Sequence, residues 1–325
     1  MNDSYKKFND AVIGETFKRP VLLSSISENT ARNGKPFLKL GLKDGDSEIT
    51  ATMFDISASA LQANGITKNS VVDVELNVNE FQGSKSFIAN TIRPSTDLSL
   101  TINDFTKLPP IDLDLMYSEI CELIATSADS LDGSVTPLSD LALKILEDNK
   151  EHYMSSSAAI SIHHNLKGGL LYHSYRMVKA ADALCGVYDI LDRELLICGA
   201  ALHDIGKIWE FTTSAAGSAE TAKPGVLFGH LYMGAALIKD YTKGKNYSTE
   251  KVQMLIHLIL SHHGTQEFGA VACPATPEAF ALHNIDELDA RIYMCEDHFE
   301  KLAPGEFTEK KPFGIDNRLY KASYR

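Results

Sequence analysis

The first 151 residues of this 325-residue chain contain no histidine, although eleven histidines follow between His152 and His298. No segment approaches the ~18 consecutive apolar residues of a membrane-spanning helix, and residues Met1–Phe8 lack the apolar core of a signal peptide. The five cysteines contain no Cys-x-x-Cys pair, which argues against a disulfide framework or a thiolate zinc site. These absences predict a cytoplasmic protein, not bound to a membrane, whose chemistry lies in its C-terminal part.

An excess of positive charge is also missing. Residues 1–100 carry 11 Lys+Arg against 12 Asp+Glu, and the whole chain has a net charge of −12. Binding of duplex DNA depends on many contacts between basic side chains and phosphates. The composition therefore argues against a broad duplex-binding face and leaves room for a narrow single-strand path.

Short alternating segments predict an N-terminal β domain over residues 1–97. The period of two and the intervening turn residues indicate five strands, at 21–26, 37–42, 49–54, 71–78 and 86–92. A small helical segment at 57–65 falls between the third and fourth strands. This order is typical of an OB-fold barrel, which often binds single-stranded nucleic acid or oligosaccharide.

Aromatic and basic residues of this barrel are candidates for strand binding. Stacking on aromatic rings beside a few lysines is how such barrels hold single strands, and the candidates are Phe37, Lys39, Phe54, Phe81 and Lys85. For any one phenylalanine, packing in the barrel core is the competing interpretation. Phe81, next to a Gln-Gly-Ser turn, is expected to be the most exposed.

After a polar linker at 98–111, the apolar spacing becomes helical, and residues 112–325 are predicted to form an all-α domain. Seven segments carry apolar residues at i, i+3 and i+4, namely 113–125, 138–153, 170–188, 192–203, 228–241, 248–263 and 277–302. The predicted fold class is thus multidomain, an all-β barrel followed by an all-α domain.

Histidines and aspartates recur in order along these helices. The dipeptide His203-Asp204 lies in Leu-His-Asp-Ile-Gly-Lys, and the other members are His173, His230, the pair His262-His263, and Asp286. Imidazole with carboxylate and no thiolate suits Mn²⁺, Fe or Zn²⁺. A carboxylate next to a histidine is also able to bridge two metals that act together on a phosphoryl group.

The ordered pattern resembles that of the HD-domain metal-dependent phosphohydrolases. The resemblance implies His173, His203, Asp204 and Asp286 as ligands of a first divalent metal, and Asp204, His230 and His262 as ligands of a second. It also implies that Lys207 lies near the substrate phosphate. Two alternatives stay open, because Asp289 lies on the same helix face as Asp286 and His263 adjoins His262.

Longer motifs narrow the resemblance. The segments Ile162-His-His-Asn … Gly-Gly-Leu-Leu-Tyr-His173, Leu-His-Asp-Ile-Gly-Lys207 and Ser261-His-His-Gly264 are similar to those of the YhaM family of 3′→5′ exoribonucleases, which also carry an N-terminal OB-fold. The resemblance implies hydrolysis of single-stranded RNA, with single-stranded DNA as a second substrate, to nucleoside 5′-monophosphates with two divalent ions, of which Mn²⁺ is favoured. His164 and Asn165 are candidates for contact with the substrate ribose or phosphate.

Two other functions fit parts of the sequence. The HD ligand pattern by itself does not determine which phosphate ester is hydrolysed. A nucleotide or cyclic-dinucleotide phosphodiesterase is therefore the first alternative. The second is a non-catalytic OB-fold protein that binds nucleic acid and keeps the helical domain as a structural unit. A homo-oligomer is compatible with the sequence, which does not determine the oligomeric state.

Overall fold

The computed structural model describes residues 5–31, 34–45, 47–128, 135–158, 166–213, 219–300 and 302–324. The chain divides into two compact units, residues 1–108 with 213–218 and residues 109–212 with 219–325. Among the described helices, none combines the length and apolarity needed to cross a bilayer. All five cysteines lie in the described part and remain free thiols. The domain limits at residues 97 and 112 stay predictions.

The first unit is a closed five-stranded barrel, which confirms the predicted OB-like architecture. Its elements are β1 (Thr16–Thr30), β2 (Pro36–Lys43), β3 (Glu48–Phe54), α1 (Ala58–Ala63), β4 (Ser70–Phe81) and β5 (Ser84–Pro94). The strand order is β1-β2-β3-β5-β4, and a parallel pairing of β3 with β5 closes the barrel. Ser57 caps α1 by accepting a hydrogen bond from the amide of Ala60.

Strict alternation places one face of each strand in the barrel interior. Along β4, Val72, Val74, Leu76 and Val78 are buried while the residues between them are more exposed. One buried ion pair accompanies this apolar core. Arg19 Nη1 lies 3.0 Å from Asp44 Oδ2, with both side chains almost fully buried.

Part of the predicted linker is folded. Residues Ile102–Phe105 form a single 3₁₀ turn, and Phe105 is buried against Leu22 of β1. The side chain of Asp104 accepts a hydrogen bond from the amide of Thr101, which closes the turn at its N-terminus.

The second unit is predominantly helical, as the apolar spacing predicted. Its helices are α2 (Leu113–Thr126), α3 (Leu138–Asp148), α4 (Lys150–Ser155), α5 (Gly169–Cys185), α6 (Arg193–Leu202), α7 (Lys207–Glu210), α8 (Lys223–Tyr241), α9 (Thr249–Ser261) and α10 (Pro277–Glu300). A short hairpin of β6 (Phe211–Thr213) and β7 (Ala219–Thr221) precedes α8.

Two helices differ from their predicted bounds. The segment expected at 138–153 is two helices separated at Asn149, whose ψ of 14° lies outside the helical range. Helix α8 begins before residue 228 and is interrupted at Gly229, where φ is +69°. A positive φ is readily adopted only by glycine, so Gly229 redirects the chain next to His230.

Buried helix faces hold the core of this unit together. Helix α6 is buried along its whole length and packs against α5 and α9, with Leu196, Ala200 and Leu202 inaccessible to solvent. Asp192 caps α6 by accepting from the amide of Leu195, and Ser248 caps α9 in the same manner. The rigid core therefore fixes the point at which α6 ends, directly before His203.

Candidate functional site

Five helices bring the predicted ligands to one place. His173 lies in the first half of α5, His203 and Asp204 follow α6, and His262 follows α9. His230 lies in α8 after the Gly229 break, and Asp286 lies in the first half of α10. The side chains form three groups of three that share members, and within each group the donor atoms all lie within 4.8 Å of one another.

Asp204 is the centre of the arrangement. Its Oδ2 lies 3.3 Å from Nε2 of His203 and 2.6 Å from Nζ of Lys207. Its Oδ1 lies 3.4 Å from Nε2 of His230 and 3.7 Å from Nε2 of His262. The two oxygens of one buried carboxylate therefore face two different sets of imidazoles.

His173 and Asp286 complete the first set. The Nε2 atom of His173 lies 3.1 Å from Nε2 of His203 and 3.2 Å from Oδ1 of Asp286. Both helices present these side chains inward, and His173 is almost fully buried. His263 belongs to the second set, grouped with His230 and His262.

The donor atoms fit a divalent metal. Two atoms that share one ion at about 2.1 Å lie roughly 3–4 Å apart, which is the spacing around both oxygens of Asp204. Among the described residues, the buried atoms without a hydrogen-bond partner include four of this cluster: Asp204 Oδ1, both ring nitrogens of His230, and His263 Nδ1. A buried polar atom without a partner is costly, and a cation would satisfy Asp204 Oδ1, His230 Nε2 and His263 Nδ1.

The protonation states also suit a cation. Burial opposes ionisation of Asp204, but Lys207 and His203 hold the pKa of its carboxyl well below the usual range. Burial and the neighbouring His203 lower the pKa of His262, so that this ring is neutral at pH 7. Carboxylate and neutral imidazole are the forms that bind metals.

The pKa of His173 is shifted in the direction opposite to that of His262. Burial alone would lower its pKa, but hydrogen bonds to Asp286 and Asp289 raise it to about 10. The protonated ring of His173 thereby faces both carboxylates, Asp289 at Nδ1 and Asp286 at Nε2. A metal bound at Nε2 would have to displace that proton.

An outer layer of partners orients the inner side chains. Asp289 contacts Nδ1 of His173 at 2.7 Å, and Glu210 contacts Nδ1 of His230 at 2.8 Å. The Nδ1 atoms of His203 and His262 lie 2.9 and 2.8 Å from backbone carbonyls, those of Ala200 and Ile259. The two bonds to backbone carbonyls select the tautomer that leaves Nε2 of His203 and of His262 available.

Glu210 was not identified from the sequence. Glu210 follows Lys207, the last residue of the His-Asp-Ile-Gly-Lys segment, by three residues, which is about one helical turn. This spacing places the two side chains on one helix face, and it was the signal from which Glu210 could have been found. The Nδ1 atom of His283, on α10, lies 2.8 Å from the carbonyl oxygen of His262.

Two glycines allow the close approach of site segments. A Cβ added to Gly206 would lie 2.1 Å from the carbonyl oxygen of His230, so only glycine lets the two segments touch. Gly264 has a φ of +80°, and a Cβ there would meet the ring of His283. Both motif glycines therefore serve the packing of the ligand-bearing loops.

Lys207 lies inside this cluster. Its Nζ pairs with Asp204, and the side chain is 14% exposed. Burial opposes the charge of Lys207, but Asp204 raises its pKa above the ordinary value. The lysine therefore remains cationic next to the ligand set.

The ligand set opens into a cavity of about 440 Å³. Its lining includes His173, Asp204, Lys207, His262 and Asp286. The volume is in the range of small-molecule sites.

The barrel candidates are exposed in part but do not form one platform. Phe37 and Phe54 pair across β2 and β3 with ring centroids 6.1 Å apart, and Phe54 is 55% exposed. Lys39 points outward from the same face of β2. Phe81, the expected exposed residue, is 65% exposed. By contrast, Phe87 is buried in the barrel core.

The strand register separates Phe81 and Lys85 from that pair. Phe87 of β5 lies opposite Ala51 of β3 in parallel register, so Lys85 is level with the start of β3 and Phe54 is at its end. At 3.3 Å per residue, Lys85 and Phe54 are about 17 Å apart along the strands. The barrel candidates thus form two surface groups, and their contact with nucleic acid stays a prediction.

The remaining candidates, His164 and Asn165, lie outside the described residues. Their contact with substrate stays a prediction.

Comparisons with known proteins agree with the two-unit architecture. A family model described as the HD domain matches residues 170–291, the span that contains every proposed ligand. The chain is similar to three bacterial proteins named 3′-5′ exoribonuclease YhaM. The Bacillus subtilis protein is 33% identical over 96% of both chains. The Listeria welshimeri protein is 31% identical over 97% of both.

The third relative, from a Geobacillus species, is 31% identical over 95% of this chain and 92% of its own length. Such identity spans the barrel, the helical unit and the segment between them. By this full-length similarity and the matching HD domain, the chain belongs to the YhaM family of 3′-5′ exoribonucleases.

Proposed function

We propose that this protein is a divalent-metal-dependent 3′→5′ exonuclease that hydrolyses single-stranded RNA, and also single-stranded DNA, to nucleoside 5′-monophosphates. The direction and the RNA substrate follow the name of its relatives. The observation that carries the chemistry is the position of Asp204, with one carboxylate oxygen toward each set of imidazoles.

We assign the two sets to two ions, with Asp204 as the shared ligand. His173, His203 and Asp286 would hold the first ion with Oδ2. His230 and His262, with His263 next to them, would hold the second with Oδ1. Mn²⁺ is favoured because all donors are nitrogen or oxygen.

Asp286, rather than Asp289, is assigned to the metal. Asp286 approaches the Nε2 side of His173, whereas Asp289 contacts Nδ1 on the opposite side of the ring and also pairs with Arg176. Asp289 is thereby an orienting residue. Between His262 and His263 we prefer His262, whose Nε2 is near Asp204 Oδ1.

Bound divalent ions would supply Lewis-acid charge and an activated water to a phosphodiester. The chain's own contribution is position and charge. Lys207 holds a positive charge beside Asp204, where it would stabilise negative charge that develops on the phosphate. Backbone carbonyls hold the imidazoles of His203 and His262 in one orientation, and Glu210 accepts from the amide of His230, which limits reorganisation during the reaction.

The barrel is assigned to strand binding. Phe37 and Phe54 offer a pair of rings on strands β2 and β3, the face that OB-folds use, while Phe81 and Lys85 lie at the β4–β5 turn. Two separate groups of side chains are better suited to contact an extended strand than to hold a single base. The near-neutral barrel is also consistent with binding by stacking more than by charge.

The direct test uses short RNA labelled at either end, with the DNA counterpart, incubated with Mn²⁺. A 5′ label is expected to give a ladder that shortens from the 3′ end, and a 3′ label is expected to appear at once as mononucleotide. Asp204→Asn is expected to abolish both, and Asp240→Asn, which changes an exposed acid paired with Lys243, is the control. Absence of a 3′-end ladder from wild type would overturn the proposal.

The same preparation separates the alternatives. Hydrolysis of a cyclic dinucleotide with intact RNA would indicate the phosphodiesterase instead. RNA binding without hydrolysis under any divalent ion would indicate a binding protein.

Metal content tests the two-ion assignment. The wild-type protein is expected to hold about two ions per chain, and His230→Ala about one, because the first set stays complete. An unchanged content in His230→Ala would contradict the second site. Chelation is expected to abolish activity and Mn²⁺ to restore it.

A cytoplasmic location is part of the proposal. It is supported by five free thiols, of which only Cys273 is exposed.

A further inference from the structure

The lining of the catalytic cavity combines two kinds of side chain. Beside the ligand set and the charged residues Glu287 and Arg291, the cavity of about 440 Å³ is lined by an apolar wall, namely Ala158, Phe268, Ala290 and Met294. A nucleotide has a similar division, with a charged phosphate at one end and an apolar ring face at the other. The same cavity therefore offers contacts for both parts of a nucleotide.

Phe268 is the aromatic residue of this wall. It is 72% exposed, so core packing does not account for its position. It ends a single 3₁₀ turn, Gln266–Phe268, which directly follows the His262-His263-Gly264 segment. Burial is the ordinary state of a phenylalanine side chain, and an exposed ring beside a ligand cluster is available for stacking.

The turn that carries Phe268 is well anchored to the ligand segment. The amide of Thr265 donates to the carbonyl of His263 at 3.0 Å, and the amides of Phe268 and Ala270 both donate to the carbonyl of Thr265 at 3.1 Å. Gly269 closes the turn with a φ of +93°. The backbone thereby places the ring at a set position relative to His263.

We propose that Phe268 is a substrate-positioning residue that stacks on the base of the 3′-terminal nucleotide while the ligand set engages the adjoining phosphate. This inference rests on the proposed exonuclease function and adds the element that holds the leaving nucleotide. Stacking tolerates every base because each has a π-face. The ring would thus position any terminal nucleotide without selecting sequence.

The test compares two RNAs that differ only at the 3′ end, one with a natural nucleotide and one with a 1-deoxyribose unit that lacks a base. Stacking contributes ~1–3 kcal/mol per base, so wild type is expected to prefer the natural end roughly 5- to 100-fold in kcat/KM, mainly through KM. Phe268→Ala is expected to lose this preference while hydrolysing the base-free end like wild type.

Two further variants separate stacking from bulk and from folding. Phe268→Trp keeps an aromatic face and is expected to retain the preference, whereas Phe268→Leu keeps apolar volume and is expected to lose most of it. Phe280→Ala, which removes another exposed phenylalanine from α10, is the matched control. Metal content and thermal unfolding show whether each variant is folded.

The outcomes are distinct. A purely structural role would lower hydrolysis of both RNAs equally in Phe268→Ala, and an unchanged preference in that variant would also overturn the inference. Failure of wild type to hydrolyse either RNA would instead overturn the proposed function.

Discussion

Asp289 Oδ2 lies 2.7 Å from Nδ1 of His173, on the side of the imidazole opposite to Asp286. Asp289 Oδ1 is in turn held by Nε of Arg176 at 2.5 Å. The three residues form a chain, with His173 and Asp289 buried and Arg176 half-buried, that directs Nε2 of His173 toward Asp204. The orientation of this ligand is therefore set by a residue that does not face the metal-binding atoms.

Replacement of Asp289 by Asn is expected to weaken metal binding. The neutral amide offers only one acceptor to two donors, His173 and Arg176, so the imidazole loses part of its constraint. Loss of such an outer partner typically costs 10–100-fold in metal affinity or activity. The Mn²⁺ concentration that gives half-maximal hydrolysis is the measurement.

Glu296→Gln is the control for that experiment, because Glu296 bonds Arg176 without contacting His173. It is expected to leave the Mn²⁺ dependence near that of wild type. Equal Mn²⁺ dependence in all three proteins would show that Asp289 does not orient the ligand.

Gly206→Ala is expected to disrupt the ligand set by displacing the backbone of the segments that carry it. The new Cβ would lie 2.1 Å from the carbonyl oxygen of His230, so the two segments would have to separate. Overpacking of this kind costs ~1–3 kcal/mol, and metal content should fall with it. Gly186→Ala, whose Cβ comes no closer than 3.3 Å to another atom, should keep both metal and activity.

Because of the buried hydroxyl of Tyr153, we expect the free energy of unfolding to fall at alkaline pH. Its hydroxyl is buried and donates to the carbonyl of Ala201 at 2.9 Å, and burial raises its pKa above the ordinary value of 10. Only the unfolded chain then ionises near pH 10. The contribution of Tyr153 is complete below that pH and is lost as the pH rises above it, by up to about 1.4 kcal/mol per unit.

Urea unfolding followed by the single tryptophan, Trp209, measures this effect in the helical unit. Tyr153→Phe is expected to be less stable by ~1 kcal/mol at pH 7, because the hydrogen bond is lost. Its stability should also fall less steeply than that of wild type above pH 10. Parallel curves for the two proteins would refute the assignment, and Tyr188→Phe, at an exposed position, is the control.

Arg19→Met is expected to destabilise the barrel. The carboxylate of Asp44 would stay buried with bonds from the amides of Phe8 and Ser47 but without its cation. Breaking a buried pair costs ~3–5 kcal/mol, which would lower hydrogen-exchange protection of barrel amides more than 100-fold. Lys18→Met removes the exposed pair with Glu75 and should cost under ~1 kcal/mol.

Local pattern determined much of the architecture. Alternation predicted all five strands because one face of each is buried in the barrel, and i, i+4 spacing predicted the helices because each buries one stripe. Where a helix is buried all round or broken by one residue, periodicity carries less information. The division at Asn149 and the Gly229 break were missed for that reason.

The ordered His and Asp pattern identified the ligand set, because residue type and order alone restrict which chemistry is compatible with them. The pattern does not give the distances between these side chains. Tertiary packing of α5, α8 and α10 placed Asp286 on Nε2 of His173 and Asp289 on Nδ1, a choice that their shared helix face left open. It also brought Glu210 to His230.

The sequence by itself thus determined an OB-like barrel, a helical HD domain and the residues that are able to hold metal. Only the tertiary structure decided which oxygen of Asp204 faces which imidazole, that the barrel aromatics form two groups, and that Phe268 borders the cavity. The physical reason is that these relations depend on contacts between segments far apart in the chain. Local propensity and periodicity do not encode such contacts.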